Sequence, residues 1–168
     1  TELDVEFQEA EKSVKPFQWI LDPEPMKKMM AIALQRHKEQ KARAKGRYKP
    51  ILFVITMSIA EGEKAQKMLQ ERFKINTLLV TEESDEKDRE EALKIGSFDS
   101  KYEAVVSVLM LREGWDVPEV STILLLRKFS SPVYGQQIIG RGLRKNIRDK
   151  PEPEILCVVD HPKFEHDW

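Results

Sequence analysis

The amino-acid sequence predicts an α/β domain with a mainly parallel sheet of about five or six strands. Short runs of apolar and β-branched residues recur along the chain, and most are separated by segments that carry helix start signals. These runs are apolar throughout, which is typical of strands buried on both faces of a parallel sheet. A chain of 168 residues with 40% hydrophobic content is large enough for one such domain.

The chain before the sheet is predicted to be a linker followed by one helix. The first 21 residues show no clean periodicity, and a helix is expected after Asp22, which can cap free N–H groups. Gly46 is its expected stop. The basic run from Lys38 to Lys49 could follow a nucleic-acid backbone, but it is expected to be a solvated helix end. We assign residues 1–48 to a linker and lead-in helix and residues 49–168 to the main domain. The apolar stripe of the helix comprises Met26, Met29, Met30, Ala33 and His37.

Five strands and three further helices are predicted after this point. The first of these helices begins with a capping box, Ser58 to Glu61, and extends to about residue 73. The second, residues 84–98, begins with acidic residues that suit the helix dipole. The third, residues 131–145, has a serine cap and a proline at its first position. The predicted strands cover residues 51–55, 75–80, 104–109, 121–127 and 154–160.

Composition excludes several classes of protein. The 28 basic and 29 acidic residues nearly cancel, so any contact with nucleic acid must come from local patches. The lone Cys157 cannot form an intrachain disulfide, and His161 and His166 have no third ligand nearby, so no metal site is predicted. No apolar run approaches the roughly 20 residues that cross a bilayer, and no secretory signal is present, so we predict no membrane contact and a cytoplasmic location. The start at Thr1 without Met suits a piece of a longer protein.

One predicted helix carries an unusual polar stripe. Gln137, Gly140, Arg141 and Arg144 are spaced so that they share one face. Two arginine forks one turn apart repel each other unless an anion or carboxylates lie between them, and arginine suits phosphate oxygens. Glycine in a helix costs about 1 kcal/mol relative to alanine, which suggests close approach by another surface. A face that contacts phosphate explains all three features, whereas the alternative is a solvated face with surface ion pairs.

The loop after the third strand is the second unusual segment. In open α/β sheets, ligands bind beyond the carboxyl ends of the strands, and this loop leaves such an end. Gly114 allows a tight backbone, Asp116 offers a carboxylate, and Pro118 stiffens the exit. Asp116 is a candidate for ligand binding, although an Asp beside Gly and Pro can also simply cap its own turn.

These two segments together resemble a known family. QIIGRGLR (137–144) matches the Q-x-x-G-R-x-x-R signature called motif VI in superfamily 2 helicases and translocases. LREGWDVPEVSTILLL (111–126) looks like motif V of the same superfamily, and the order of strands and helices before it resembles the second RecA-like lobe. The EGWD form is similar to the restriction subunits of type III restriction-modification enzymes. The resemblance covers about residues 50 to 160.

The resemblance implies a three-layer RecA-like fold and a shared ATP site. In this family the two arginines of motif VI reach the γ-phosphate of ATP held by the first lobe, so Arg141 and Arg144 are expected to act as arginine fingers. Gln137 is expected to orient the nucleotide or the attacking water, with Gly140 beside it. Gly114 and Asp116 are expected to line the nucleotide cleft. The expected partners are the N-terminal RecA-like lobe of the same protein and nucleic acid, with DNA favoured over RNA.

The family pattern also implies nucleic-acid contacts, and the chain departs from it in places. The loops after the strands match positions that touch a nucleic-acid backbone, namely Thr56, Ser58, Thr81 and Ser107. Many relatives carry a Thr early in motif V, where this chain reads Ser-Val-Leu from Ser107. No G-x-x-x-x-G-K-[ST] loop and no D-E-x-[DH] box occurs. ATP and Mg²⁺ must therefore be held by another lobe, and this chain alone is expected not to hydrolyse ATP.

Three functions remain open from the sequence. The first is a motor half: the C-terminal lobe of an ATP-dependent helicase or translocase of the type III restriction kind. The second is a degenerate lobe that binds nucleic acid or a protein without hydrolysis, against which the intact arginine pair argues. The third is a structural α/β domain with a chance motif.

Overall fold

A computed structural model describes residues 23–108, 120–126 and 157–159 of the chain. Within these ranges the chain alternates between helices and strands in the predicted order, and five strands are present. The predicted helix at residues 131–145 lies outside the described residues. The elements are α1 (Pro23–Ala44), β1 (Ile51–Thr56), α2 (Ile59–Glu71), β2 (Thr77–Val80), α3 (Glu86–Leu93), β3 (Ala104–Val108), β4 (Val120–Leu125) and β5 (Cys157–Val159).

The five strands form one parallel sheet in the order β2-β3-β1-β4-β5. β1 is its centre, with Val54 opposite Val106 on one side and opposite Leu124 on the other. Every residue of β1, β3 and β4 is buried, as expected for parallel strands covered on both faces. The predicted α/β class with a mainly parallel sheet is therefore confirmed.

Helices cover both faces of the sheet and give three layers. On one face Met30 of α1 and Leu69 of α2 pack in one cluster with Leu52 and Val54 of β1. On the other face the alternate residues of β1 pack with Ala92 of α3. Successive side chains of a strand point to opposite faces, so one apolar run supplies both cores. Burial of each large apolar side chain contributes about 1.5–3 kcal/mol.

β2 and α3 are both shorter than the sequence predicts. β2 begins at Thr77, two residues later than expected, because Ile75 still serves the end of α2: its N–H donates to the Leu69 carbonyl (3.0 Å). The left-handed backbone of Lys74 makes this turn possible. α3 ends at Leu93, and the chain after it forms successive turns instead of more helix.

α1 is tied to the amino edge of the sheet by polar side chains. Gln40 Nε2 donates to the Ser121 carbonyl at the start of β4 (3.0 Å) and to Cys157 Sγ at the start of β5 (3.3 Å). His37, which the sequence places in an apolar stripe, is indeed buried, but its ring Nε2 lies 3.1 Å from Glu103 Oε2, just before β3. The stripe therefore carries polar contacts as well as packing. Cys157 is half-buried.

Glu103 contacts the ammonium of Lys41 as well as the His37 ring at this edge. Lys41 Nζ lies 3.3 Å from its second carboxylate oxygen. The hydrogen bond from His37 lowers the pKa of Glu103 from 4.5 to about 2; partial burial acts in the opposite direction, and the charge of Lys41 adds to the lowering. The ionised carboxylate is therefore part of what holds α1 against the sheet.

The basic run from Lys38 to Lys49, which crosses the end of α1, is not wholly a solvated surface. Lys49 Nζ donates to three backbone carbonyls of the turns that follow α3, those of Ile95 (3.2 Å), Ser97 (3.3 Å) and Ser100 (2.8 Å). Burial lowers the pKa of Lys49, and the charge of Glu103 opposes that shift. The expectation that the whole run faces solvent is therefore wrong at Lys49, because an ammonium with three donors can bond to several carbonyls of the turns at once.

We expect Glu103→Gln to lower the free energy of unfolding near pH 7 by about 1–3 kcal/mol, since charge-assisted bonds are replaced by neutral ones. The folded-state pKa of Glu103 is depressed, so its contribution is present above pH 4.5 and is lost as the pH falls towards about 2. The difference between wild type and variant, measured by urea unfolding, should therefore shrink over that interval. Glu39→Gln, which removes an exposed carboxylate paired with Arg36, is the control and should change little. A difference that does not depend on pH would contradict this account.

Candidate functional site

The carboxyl ends of the three central strands lie side by side at one edge of the sheet. Thr56, the last residue of β1, is opposite Val108, the last residue of β3. On its other side the N–H of Leu126, just after β4, donates to the Ile55 carbonyl (3.1 Å). The chain segments that carry the two predicted motifs therefore leave the sheet on either side of β1. The motif residues themselves lie outside the described residues: Gly114, Asp116, Gln137, Gly140, Arg141 and Arg144.

The connections from β1 and β4 lead in opposite directions across the sheet. β1 is followed by α2 and then by β2 at one end of the strand order, whereas β4 is followed by β5 at the other end. Neighbouring strands whose connections diverge leave a crevice beyond their carboxyl ends, which is where open α/β sheets bind ligands. The topology thus favours ligand binding at the edge formed by the strand ends that precede the two motif segments.

Ser58 presents its side chain at this edge. It is exposed and caps α2: its hydroxyl accepts the Glu61 N–H (3.2 Å), and the Glu61 carboxylate accepts the N–H groups of Met57 (3.1 Å) and Ser58 (3.3 Å). The capping box predicted from the sequence is confirmed. The cap holds the first turn of α2 beside the end of β1. This turn is the positive end of the helix dipole.

The other three predicted contact residues are buried. Thr56 and Ser107 are 0% and 1% exposed, and Thr81 is 6% exposed. Thr81 also serves its own turn, because its hydroxyl accepts the Glu83 N–H (3.1 Å) and its N–H donates to Ser84 Oγ (2.8 Å). Ser58 is therefore the one of the four with an exposed side chain.

Thr56 has an unusual environment at this edge. Its side-chain oxygen has no hydrogen-bond partner among the described residues, although it is buried. A buried hydroxyl without a partner costs free energy, which is uncommon in folded proteins. It lies near the first turn of α2, where a Cβ built on Gly62 would come within 3.3 Å of it.

Gly62 is a residue of the site that sequence reasoning missed. A Cβ built on it would lie 2.8 Å from Val108 Cγ2, 2.9 Å from Leu79 Cδ1 and 3.3 Å from Thr56 Oγ1. The glycine therefore allows α2 to approach the carboxyl ends of β1 and β3 more closely than any other residue would. The sequence does contain a signal for it. A glycine directly after the capping box lowers helix stability, and no neighbouring residue in the sequence gives a reason for it.

Charge at this edge is uneven. The turn after β2 and the start of α3 carry the exposed carboxylates of Glu82, Glu83, Asp85 and Glu86. Lys87 and Arg89 of α3 are exposed there as well, and Arg89 Nη2 donates to the Glu82 carbonyl (3.4 Å). Carboxylates therefore outnumber cations beside β2, and at the end of β1 the Glu61 carboxylate lies beside Ser58.

The described residues contain no group of three or more His, Cys, Asp or Glu side chains placed to hold a metal ion. In the same part of the chain, no helix is both long enough and apolar enough to cross a membrane.

A comparison with protein families decides which class of domain this is. The model of the helicase conserved C-terminal domain matches residues 27–146, which include most of the described residues and both motif segments. The chain belongs to this family. The helicase C-terminal domain match begins inside α1, whereas the domain boundary predicted between residues 48 and 49 stays a prediction.

Solved structures show the same fold for this helicase C-terminal domain. One is the second domain of the DEAD-box helicase Mss116p bound to an RNA duplex, with a TM-score of 0.54, 17% identity and 78% of this chain covered. Another is the helicase domain of Hef from Pyrococcus furiosus, with a TM-score of 0.51, 18% identity and 93% of this chain covered. The match covers 49% of the first protein chain and 34% of the second, so this chain spans half or less of each. The predicted RecA-like fold is confirmed. No curated protein matches the chain.

We expect Gly62→Ala to destabilise the domain by about 1–2 kcal/mol. Crowding against the stiff Val108 side chain should cost about 1–3 kcal/mol, which exceeds the gain of up to about 1 kcal/mol in helix propensity. Thermal unfolding measures the effect. In a Val108→Ala background, Gly62→Ala should destabilise the domain less than it does in wild type. The control Glu63→Ala, on the exposed side of α2, should change the free energy of unfolding by no more than about 0.5 kcal/mol. A stabilising Gly62→Ala would show that α2 can move away freely.

Proposed function

We propose that this chain is the C-terminal motor lobe of an ATP-dependent nucleic-acid helicase or translocase, of the kind found in type III restriction enzymes. The observation that carries the proposal is the position of the two motif segments. They leave the carboxyl ends of β3 and β4 on either side of β1, at the crevice of a sheet that belongs to the helicase C-terminal domain family. The type III assignment rests on the EGWD sequence at 113–116.

The proposed contribution of this lobe to ATP hydrolysis is positive charge. Arg141 and Arg144 would stabilise the charge that develops on the phosphoryl group during transfer, as arginine fingers do. Gln137 would orient the nucleotide or the attacking water, and Gly140 would let the facing lobe come close. Gly114 and Asp116 would line the same cleft from the β3 side.

ATP and Mg²⁺ would be held by an N-terminal RecA-like lobe of the same protein. The sequence of this chain has neither the phosphate loop nor the acidic box that hold them. The two arginines proposed for this lobe fit that division, because an arginine binds phosphate oxygens but has no acceptor atom with which to coordinate Mg²⁺.

The proposed nucleic-acid contact centres on Ser58. Its hydroxyl and the first turn of α2 suit a backbone phosphate, because serine side chains, helix N-termini and N–H groups are common phosphate ligands. The three buried residues would support the conformation of the loops instead of contacting the nucleic acid directly: Thr56, Thr81 and Ser107. The exposed carboxylates beside β2 disfavour a phosphate near Thr81. DNA is proposed over RNA on the type III resemblance alone.

In a longer protein that includes the first lobe, we expect Arg141→Ala or Arg144→Ala to lower nucleic-acid-stimulated ATPase by about 10³-fold or more. ATP affinity should change much less, because the fingers act on charge that develops in the transition state. Steady-state ATPase and equilibrium ATP binding measure the two effects. Arg36→Ala, an exposed arginine on α1, is the control.

Unchanged turnover in both finger variants would reject the catalytic roles and favour the second reading, a lobe that only binds. The isolated 168-residue chain should show no ATPase, and activity in it would contradict the division between the lobes.

Substitutions at Ser58 separate capping from phosphate contact. Asn and Asp both cap helices well, so Ser58→Asn and Ser58→Asp should leave stability close to that of wild type. Only Ser58→Asp adds a negative charge where a phosphate is proposed, so it alone should weaken nucleic-acid binding severalfold, most strongly at low salt. Fluorescence anisotropy with a labelled duplex, in the two-lobed protein, measures this. Equal affinity of both variants for the duplex would show that Ser58 does not contact the nucleic-acid backbone.

A further inference from the structure

The turns that lead into β1, β2 and β3 form one continuous surface at the amino edge of the sheet. Lys49 Nζ holds the turn before β3 against the lead into β1, through the carbonyls of Ser97 (3.3 Å) and Ser100 (2.8 Å). Asn76, just before β2, bonds to the same region, because its side chain donates to the Lys101 carbonyl (3.2 Å). Since neighbouring strands lie about 4.8 Å apart, the three leads span about 10 Å.

Cations predominate on this surface, which we call the basic edge. It comprises three described segments: residues 45–50, 72–76 and 94–103. These segments carry two carboxylates, Asp99 and Glu103, and Glu103 is already paired with Lys41. Their seven cations are Lys45, Arg47, Lys49, Arg72, Lys74, Lys94 and Lys101. The basic edge is therefore suited to an anionic ligand.

Two lysines of the basic edge have a backbone conformation that favours glycine. The φ angle is 52° at Lys45, directly after α1, and 58° at Lys74, shortly after α2. Glycine is the usual residue in such a conformation, because a side chain costs free energy there. The helix dipoles do not require these two lysines, since Lys41 and Arg43 lie in the last turn of α1 and Arg72 caps α2.

The side chains of Lys45 and Lys74 are available to a ligand. Both are exposed, and neither forms an ion pair with a carboxylate of the described residues. The chain thus keeps two free charges at positions where glycine would fit the backbone better. Backbone strain of this kind is typical of sites that bind.

An exposed aromatic ring lies within the same surface. Phe98 is 66% exposed, although its turn is held in place on both sides. Lys49 bonds the carbonyls of Ser97 and Ser100, and the Asp99 N–H donates to Ser97 Oγ (3.2 Å). A ring on a fixed turn loses little conformational freedom when it binds, which favours affinity.

We propose that the basic edge binds single-stranded nucleic acid, with Lys45 and Lys74 on backbone phosphates and Phe98 stacked on a base. Proteins that bind single strands without sequence preference combine cations with exposed aromatic rings in this way. In a duplex the faces of the bases are covered by their neighbours. An acidic protein segment would meet the same cations, but its apolar anchors need a pocket, whereas Phe98 protrudes.

This contact is separate from the one proposed at Ser58. The basic edge lies where the strands begin, whereas Ser58 follows the end of β1. The proposal therefore adds a second nucleic-acid surface to the domain and does not depend on the first.

Fluorescence anisotropy with the full chain and a labelled single-stranded DNA of about 12 nucleotides tests the cations. Ser58→Asp serves as the background, so that the other proposed contact is weakened. In Lys45→Gly/Lys74→Gly the Kd should rise about tenfold at low salt, and the slope of log Kd against log salt should fall by about 0.7 for each lysine. The Tm should stay the same or rise, because glycine fits a left-handed backbone. Lys28→Gln/Lys64→Gln, on exposed helical positions, is the control and should change the Kd by less than about twofold.

Substitutions at Phe98 test the stacking. Phe98→Ala should raise the Kd about fivefold or more, whereas Phe98→Tyr should keep the affinity of the parent chain. Both should leave the Tm close to that of the parent, because the ring is largely exposed.

Three results would overturn the proposal. The first is loss of all DNA binding in the Ser58→Asp chain, which would leave the end of β1 as the contact. The second is an unchanged Kd in the lysine pair or in Phe98→Ala. The third is displacement of the DNA by polyglutamate at an equal concentration of charges, which would assign the basic edge to an acidic protein segment. Conversely, binding that survives Ser58→Asp and is lost in the lysine pair would support the basic edge and count against the contact at Ser58.

Discussion

The parallel pairing of β1 with both of its neighbours is the constraint on which the rest of the structure depends. A parallel neighbour cannot be reached by a tight turn, so each connection has to cross a face of the sheet. Helices therefore cover both faces, and every residue of β1 is buried. The same pairing brings the carboxyl ends of β3, β1 and β4 to one edge. A crevice at that edge is a consequence of the strand order and not of any single residue.

The two edges of the sheet hold different kinds of polar group. At the amino edge Glu103, His37 and Lys41 tie α1 to the strands, and Lys49 satisfies three carbonyls of the turns after α3. Apart from His37 Nδ1, which is buried without a hydrogen-bond partner among the described residues, these side chains bond to each other or to backbone carbonyls. At the carboxyl edge the polar groups are an exposed capping serine and a buried threonine without a partner among the described residues. The contacts that tie α1 to the sheet and the binding site proposed at the carboxyl edge therefore lie at opposite ends of the same strands.

α2 connects the fold to the proposed function. Its first turn is held by the capping box, and Gly62 lets that turn lie directly over the ends of β1 and β3. A bulkier residue would lift the helix and move Ser58 with it. The position of the proposed phosphate contact therefore follows from packing beneath the helix as much as from the serine.

The sequence by itself determined the strands, the order of elements and the cap of α2, because each is written in neighbouring residues. An apolar run such as 51–55 predicts a buried strand, and Ser58 and Glu61 are only three residues apart. The family resemblance was equally local, since it rests on two short motifs. Only the tertiary structure decided the strand order β2-β3-β1-β4-β5, the pairing of His37 with Glu103, and the close contact of Gly62 with Val108. These contacts join residues far apart in the chain, and the periodicity of one segment carries no information about which distant segment will cover it.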